Sequence, residues 1–122
     1  NVRGTALPPA TRTKSGNALA EQNPPDLNGA IKKFDEAMIL QTAVIESLTK
    51  KKIKSDIVTS NLGTSHRLKA KALSKLGDVD KSFEEYQSAI RIFKQLREND
   101  PASSLWLHSL AAAYTLLGDA FA

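Results

Sequence analysis

Apolar side chains recur every three or four residues along most of the chain, which is the spacing of one face of an α-helix. This periodicity predicts five helices and no strand, so the expected fold class is all-α. The predicted helices cover about residues 11–22, 26–50, 55–75, 78–99 and 103–122. Residues 1–10 include Gly4, Pro8 and Pro9, show little periodicity, and are predicted to form an extended arm.

The residues between these segments are typical of helix boundaries. The predicted N-caps are Asp26, Ser55 or Asp56, Asp78 and Ser103. Gly77 is predicted to end the third helix, because glycine readily adopts the left-handed backbone conformation. The sequence Asn23-Pro24-Pro25 stops the first helix, since proline disfavours helical geometry in the residue before it.

The predicted helices repeat in pairs. The fourth helix aligns with the second at an offset of 52 residues, which places Tyr86 on Phe34. The fifth aligns with the third at an offset of 48, which places Leu110 on Leu62. Self-similarity at a fixed period indicates a repeat architecture, so we expect a unit of roughly 48 residues used about two and a half times. The expected pairs are residues 11–50, 55–99 and, incomplete, 103–122.

Two stretches resemble the tetratricopeptide repeat. Residues 114–121 read Tyr-Thr-Leu-Leu-Gly-Asp-Ala-Phe, which is similar to the first helix of that family's repeat. Gly77-Asp78, followed by Tyr86 and Ala89, is similar to its turn and second helix. The resemblance covers about residues 11–122 and implies antiparallel helix pairs stacked as a right-handed α-solenoid.

The chain also departs from the family pattern. Its unit is longer than the usual 34 residues or so, and Ser82 replaces a typical alanine. His66, Lys69 and Ala70 stand where an aromatic residue, Leu and Gly are typical, and Pro24-Pro25 adds two residues to the first unit. The alternative to the family is an ordinary helical bundle whose spacing matches by chance.

Composition excludes several kinds of chemistry. The 122 residues include no Cys, so the chain has no thiol nucleophile, disulfide or Cys-ligated zinc site. Neither His66 nor His108 has partners at the spacing of a triad or metal site, and both are predicted to be surface or interhelical residues. Asp35-Glu36 and Glu84-Glu85 are predicted to lie on solvated faces, because adjacent carboxylates diverge on a helix. The sequence therefore predicts no enzyme, cofactor or metal, and it contains no apolar run of membrane-spanning length.

Basic residues concentrate in one segment of the chain. The net charge is +4, but residues 50–75 alone carry +7 and the remainder −3. Within that segment cations recur every four residues, which places them on one helix face without the acids that usually alternate with them. This stripe consists of Arg67, Lys71 and Lys75, with Thr64 and Ser74 alongside. It favours an acidic partner, and the alternative is a solvated helix face.

The resemblance implies where the stripe lies. In the tetratricopeptide family the first helix of each pair lines a concave groove. The peptide-binding residues implied by this frame are Asn17, Thr64, Arg67, Lys71, Ser74, Lys75, Thr115 and Asp119. Some members clamp the terminal carboxylate of chaperone tails with Lys and Asn side chains. Asn17 matches one such position, but Thr13 stands where Lys is typical, so support for that ligand is weak.

The fifth helix carries an apolar stripe with no later helix in this sequence to cover it. The expected interface residues are Trp106, Leu110, Tyr114, Leu117 and Phe121. Burying one large apolar side chain contributes about 1.5–3 kcal/mol. We therefore expect further repeats of a longer protein, or alternatively a second protomer, to cover the stripe.

These observations predict a non-catalytic protein–protein interaction module, a scaffold or adaptor that binds a protein or acidic peptide segment in a basic concave groove. One alternative is a structural or oligomerisation segment of a larger repeat protein. The other is an RNA-binding helical repeat, which is disfavoured because no aromatic side chains alternate with the cations for base stacking. The cytoplasm is the favoured location, although the sequence leaves the compartment open.

Overall fold

The computed structural model describes residues 8–120, which form five α-helices. These are α1 (Pro9–Glu21), α2 (Leu27–Lys50), α3 (Asp56–Leu76), α4 (Val79–Asn99) and α5 (Ser104–Ala120). The described residues contain no strand, so the predicted all-α class is confirmed. Pro9 and Ala10, which were expected in the arm, form the first turn of α1. Residues 1–7 of that arm and the predicted interface residue Phe121 lie outside the described residues.

The predicted helix boundaries are set by the capping residues. Asp26, Ser55 and Asp78 each accept a hydrogen bond from the backbone N–H three residues later, at 2.9, 3.3 and 3.4 Å. These bonds satisfy N–H groups that have no partner within the helix. Gly77 ends α3 in the left-handed conformation with φ 86°, as predicted. Short connections between well-capped ends bring consecutive helices side by side.

Each helix packs against its neighbours in sequence, and α3 also contacts α1 and α5. The pairs in contact are α1–α2, α2–α3, α3–α4, α4–α5, α1–α3 and α3–α5. Among the described residues, α2 and α4 make no comparable approach to each other. The central helix α3 therefore contacts all four of the others. None of the described helices is both long and apolar enough to cross a membrane.

The core includes two clusters of buried side chains. One lies between α2 and α3 and is built on Ala30, Phe34 and Ala72. The other lies between α4 and α5 and consists of Ala89, Phe93, Leu96, Trp106 and Ala113, with Leu110 packed against it. Trp106 is only 6% exposed, so its predicted place in an uncovered interface is wrong. The side of α5 that carries Trp106 faces α4 of the same chain.

Small and aromatic side chains alternate along the buried stripes of α2 and α4. The stripe of α2 is Ala30, Phe34 and Ala37, and the stripe of α4, 52 residues later, is Ser82, Tyr86 and Ala89; all six are at most 1% exposed. The small residues permit close helix approach, and the aromatic rings fill the space between. At Gly16 of α1 the approach is so close that a Cβ atom would lie 2.7 Å from the ring of Phe34.

Candidate binding surfaces

The predicted basic stripe lies on one face of α3. Lys71 and Lys75 are exposed, whereas Thr64, Arg67 and Ser74 are half-buried. Next to α1, Lys71 and Lys75 line a small cleft together with Asn17 and the acidic residue Glu21. Three of the predicted binding residues are thus brought together where α1 meets α3.

Arg67 of the stripe lies near Tyr86 of α4. Burial lowers the pKa of Arg67, and the nearby Tyr86 acts in the opposite direction. Burial raises the pKa of Tyr86, with opposing contributions from Arg67, which lowers it, and Asp119, which raises it further. The predicted residues Arg67 and Asp119 therefore both interact electrostatically with Tyr86.

The other predicted residues are not gathered at one point. Thr64 lines a separate cavity of about 170 Å³ between α1, α2 and α3. Gln41 lines the same cavity, is 3% exposed, and its Oε1 has no hydrogen-bond partner among the described residues. The hydroxyl of Thr115 donates to the carbonyl of Ala111 in its own helix, at 2.9 Å. Ser74 is half-buried and has no side-chain hydrogen bond among residues 8–120. The predicted set therefore lies along α1, α3 and α5 and does not form one pocket.

Cations on the two sides of α3 differ in their partners. Lys69 points away from the stripe and contacts Asp35 of α2 at 2.7 Å and Glu85 of α4 at 3.6 Å. Lys71 and Lys75 have no ion pair within residues 8–120. The positive charge that this helix leaves for an external partner is thus confined to the stripe.

Three carboxylates that were predicted to be solvated form contacts between helices, although the side chain of one of them, Asp35, remains 45% exposed. Glu36 contacts Arg12 of α1 at 2.7 Å, and Asp35 contacts Lys69 of α3. Glu85 accepts a hydrogen bond from Nδ1 of His66 at 2.6 Å. The prediction failed because adjacent carboxylates diverge on a helix, and the diverging side chains reach different neighbouring helices. Glu84 is exposed, as predicted, and His66 is interhelical.

This ionic network shifts the titration of two of its members. Burial alone would raise the pKa of Glu85, but the hydrogen bond from His66 and the charge of Lys69 outweigh it and hold the pKa below its usual value. Burial likewise opposes the charged form of Lys69, but Asp35 and Glu85 raise its pKa overall. Both groups are therefore stabilised in their charged forms.

The network forms one side of a larger cleft with a volume of about 630 Å³, which we call the first cleft. The first cleft lies over α3, between α2 and α4. It is lined by Asp35, Met38, Ile39, Thr42, Leu62, His66, Lys69 and Glu85. Its lining combines an apolar wall on α2 with charges that are already paired. The second cleft, of about 390 Å³, lies between α4 and α5 and is lined by Gln87, Ile90, Arg91, Lys94, Tyr114 and Leu117.

The predicted interface residues of α5 are divided by this arrangement. Tyr114 is 50% exposed and Leu117 is half-buried, and both line the second cleft. Trp106 and Leu110 face the core. Of the predicted stripe, only Tyr114 and Leu117 are therefore available on a cleft surface among the described residues.

Comparisons with family models, curated protein sequences and solved structures found no match to this chain. Within residues 8–120, no three or more His, Asp or Glu side chains are grouped so as to hold a metal ion. Function therefore has to be inferred from the residues and geometry of the chain itself.

One signal in the sequence pointed to the first cleft. His66 and Lys69 occupy positions where the resembling family has an aromatic residue and Leu, which are buried side chains. A polar group at an inward position requires a hydrogen-bond or charge partner. These two departures from the pattern are the signal that could have predicted an interhelical network; the acids that complete it, Asp35 and Glu85, were instead predicted to be solvated.

Proposed function

We propose that this protein is a non-catalytic, tetratricopeptide-like repeat scaffold that binds an acidic peptide segment across α1, α3 and α5. The observation that carries this proposal is the pair of exposed cations, Lys71 and Lys75, beside Asn17 and without ion pairs in the described residues. Lys69 on the same helix contacts two acids, so within α3 the cations without a partner are those of the stripe.

The packing of the helices supports a stacked arrangement of pairs. In a solenoid each helix pair stacks on the next, and the first helices of successive pairs form one continuous surface. Here the first helices of successive pairs are in contact, α1 with α3 and α3 with α5. The second helices, α2 and α4, each carry a buried stripe with the same order of small and aromatic side chains. We include a right-handed α-solenoid in the proposal on this basis.

The side chains on this surface suit carboxylates at defined positions. Lys71 and Lys75 can each attract a carboxylate as a point charge, and the Asn17 amide can hydrogen-bond the peptide backbone. Arg67 is half-buried without an ion pair in residues 8–120, and its guanidinium can bind a carboxylate in bidentate fashion. Glu21 lines the same cleft as Lys71 and Lys75 and would repel a misplaced acid, which favours one register of the peptide.

The proposal is tested by reversing the two exposed charges. Lys71→Glu with Lys75→Glu should abolish binding of acidic peptides while the melting temperature stays nearly unchanged, because both side chains are exposed. The matched control is Lys51→Glu with Lys54→Glu, which changes the net charge equally in the exposed α2–α3 connection. The probes are fluorescein-labelled dodecapeptides whose acidic pairs are spaced one to four residues apart, measured by anisotropy at about 0.15 M salt.

The expected result is at least one peptide that loses about tenfold or more in affinity with the α3 variant and not with the control. Equal losses in both variants would mean unspecific attraction and would contradict the proposal. So would the same dependence on Lys71 and Lys75 for a labelled oligouridine, which would favour single-stranded RNA as the ligand.

A further inference from the structure

The outer face of α5 corresponds to the face of α3 that packs against α4. At the offset of 48 residues, Gly63, His66 and Ala70 of α3 align with Ala111, Tyr114 and Gly118 of α5. All three α3 residues contact α4. A Cβ atom on Gly63 would lie 2.9 Å from the ring of Phe93, His66 bonds Glu85, and the carbonyl of Ala70 accepts a hydrogen bond from Ser82 at 2.8 Å.

The corresponding residues of α5 have no such neighbour in the described part of the chain. Ala111, Tyr114 and Gly118 are all exposed, and a Cβ atom on Gly118 would meet nothing within 4 Å. Gly118 therefore provides room for a close helix approach, as Ala70 does in α3, and within residues 8–120 no helix uses it.

The two clefts correspond in the same way. All six residues that line the second cleft align with residues that line the first, at offsets of 52 for α4 and 48 for α5. Glu85 of α4 is the first-cleft residue that belongs to the later helix, and it has no counterpart in the second cleft. Among the described residues, the second cleft therefore lacks the wall that α4 supplies to the first cleft through Glu85.

We infer that the outer face of α5 is a docking site for an amphipathic helix of a partner, seated as α4 is seated on α3. This interaction surface is separate from the peptide-binding face proposed above and does not depend on it. The helix that fits has a small residue facing Gly118, an aromatic residue four positions later and a small residue seven positions later. In α4 those positions are Ser82, Tyr86 and Ala89, each at most 1% exposed.

The charge of the second cleft further defines this partner. Arg91 and Lys94 occupy the places of Ile39 and Thr42, and both are exposed without an ion pair in residues 8–120. The docked helix should therefore carry an acidic residue three positions after its first small residue, where α4 has Glu85. Tyr114 takes the place of His66, and its hydroxyl can donate a hydrogen bond to that carboxylate.

A second folded copy of the chain does not supply such a helix among the described residues. Both stripes with the required small–aromatic–small spacing, on α2 and α4, are buried within their own chain. The occupant that we assign is therefore a helix of a partner protein that carries the small–aromatic–small pattern of α4.

The test uses a helical peptide with the sequence of residues 78–99, bridged between positions 87 and 91, which are both exposed in α4. Its helicity is checked by circular dichroism, and its binding to the full chain is measured by fluorescence anisotropy. Gly118→Leu and Ala111→Glu should each weaken binding about tenfold or more. The leucine would occupy the space that the docked helix needs, and the glutamate would place a charge in the contact. Leu105→Glu is the matched control, since Leu105 is 59% exposed and points to the other side of α5.

Two further variants test the charge and the pattern. Arg91→Glu with Lys94→Glu should weaken binding and reduce its salt dependence, and a peptide with Tyr86→Ser should not bind. Failure of the helical peptide to bind, or binding that Gly118→Leu leaves unchanged, would overturn the inference. Self-association of the chain that Ala111→Glu abolishes, detected by light scattering, would also overturn it and assign the face to a second copy.

Discussion

The two clefts share one framework but use their charges in opposite ways. In the first cleft, Lys69 and His66 are paired with acids from α2 and α4, so the charges join the helices of the chain itself. In the second cleft, Leu117 and Tyr114 take those places, and the cations move to the α4 wall as Arg91 and Lys94. The charges at the α3–α4 contact are therefore paired within the chain, while Arg91 and Lys94 of the second cleft have no ion pair within residues 8–120.

The largest expected effect concerns a small buried residue of the α3–α4 contact, Ala70, and its exposed equivalent on α5, Gly118. Ala70→Leu should lower the free energy of unfolding by about 3 kcal/mol, because the added atoms enter the buried α3–α4 contact. The equivalent change Gly118→Leu should cost nothing, since the space around Gly118 is open. Urea denaturation followed by circular dichroism measures both. A comparable loss for Gly118→Leu would show that the α5 face is already covered in the free protein.

A smaller effect is expected from breaking the network of the first cleft. Glu85→Gln removes the charged acceptor of His66 and the second partner of Lys69, and should cost about 2 kcal/mol of stability. Glu84→Gln is the control, because Glu84 is its exposed neighbour on the same helix and should change stability by less than about 0.5 kcal/mol. Equal effects of the two substitutions would mean that the network contributes nothing specific.

The same network predicts how stability depends on pH. Because the pKa of Glu85 is lowered in the folded chain, its contribution is fully present above the ordinary carboxyl value and is lost as the pH falls through the lowered pKa. The pKa of Lys69 is raised, so its contribution is fully present below the ordinary lysine value and is lost as the pH rises through the raised pKa.

The stability difference between the natural chain and Glu85→Gln should therefore be present at neutral pH and shrink as the pH falls through the lowered pKa of Glu85. Denaturant titrations at a series of pH values provide the measurement. A difference that persists unchanged below the folded pKa of Glu85 would assign the stabilisation to packing and not to charge.

Local features of the fold were predictable because they depend on neighbouring residues. Asp26, Ser55, Asp78 and Gly77 cap helices where their side chains or backbone freedom require it. The apolar residues of α5 were harder to interpret, since periodicity shows that they lie on a helix and does not show which of them faces the preceding helix. Trp106 was consequently placed at an interface although it belongs to the core.

The candidate site was predictable only in part, for a related reason. Lys71 and Lys75 share an exposed face because four-residue spacing fixes their common direction. Asp35 and Glu85 lie far apart in sequence, and their meeting at Lys69 depends on how three helices pack. Spacing within one helix gives direction, whereas partners on other helices follow from the tertiary structure.

The smallest expected effect on stability is that of replacing a glycine by alanine, and its sign differs between Gly16 and Gly118. Gly16→Ala should destabilise the chain by about 1 kcal/mol, because the new methyl group would collide with Phe34 and lie 3.1 Å from the backbone oxygen of Ala30. Gly118→Ala should instead stabilise it by about 0.5 kcal/mol, since alanine favours the helix and nothing lies within 4 Å of the added atom.

Peptide binding by Gly118→Ala also tests whether the open space at Gly118 is a docking site. The equivalent residue of α3 is Ala70, which is fully buried against α4, so an alanine at position 118 is compatible with a docked helix. The helical peptide of residues 78–99 should bind Gly118→Ala as it binds the natural chain, although Gly118→Leu excludes it. Thermal denaturation and peptide anisotropy on the three chains measure both properties. A loss of binding with alanine would mean that the partner approaches α5 more closely than α4 approaches α3.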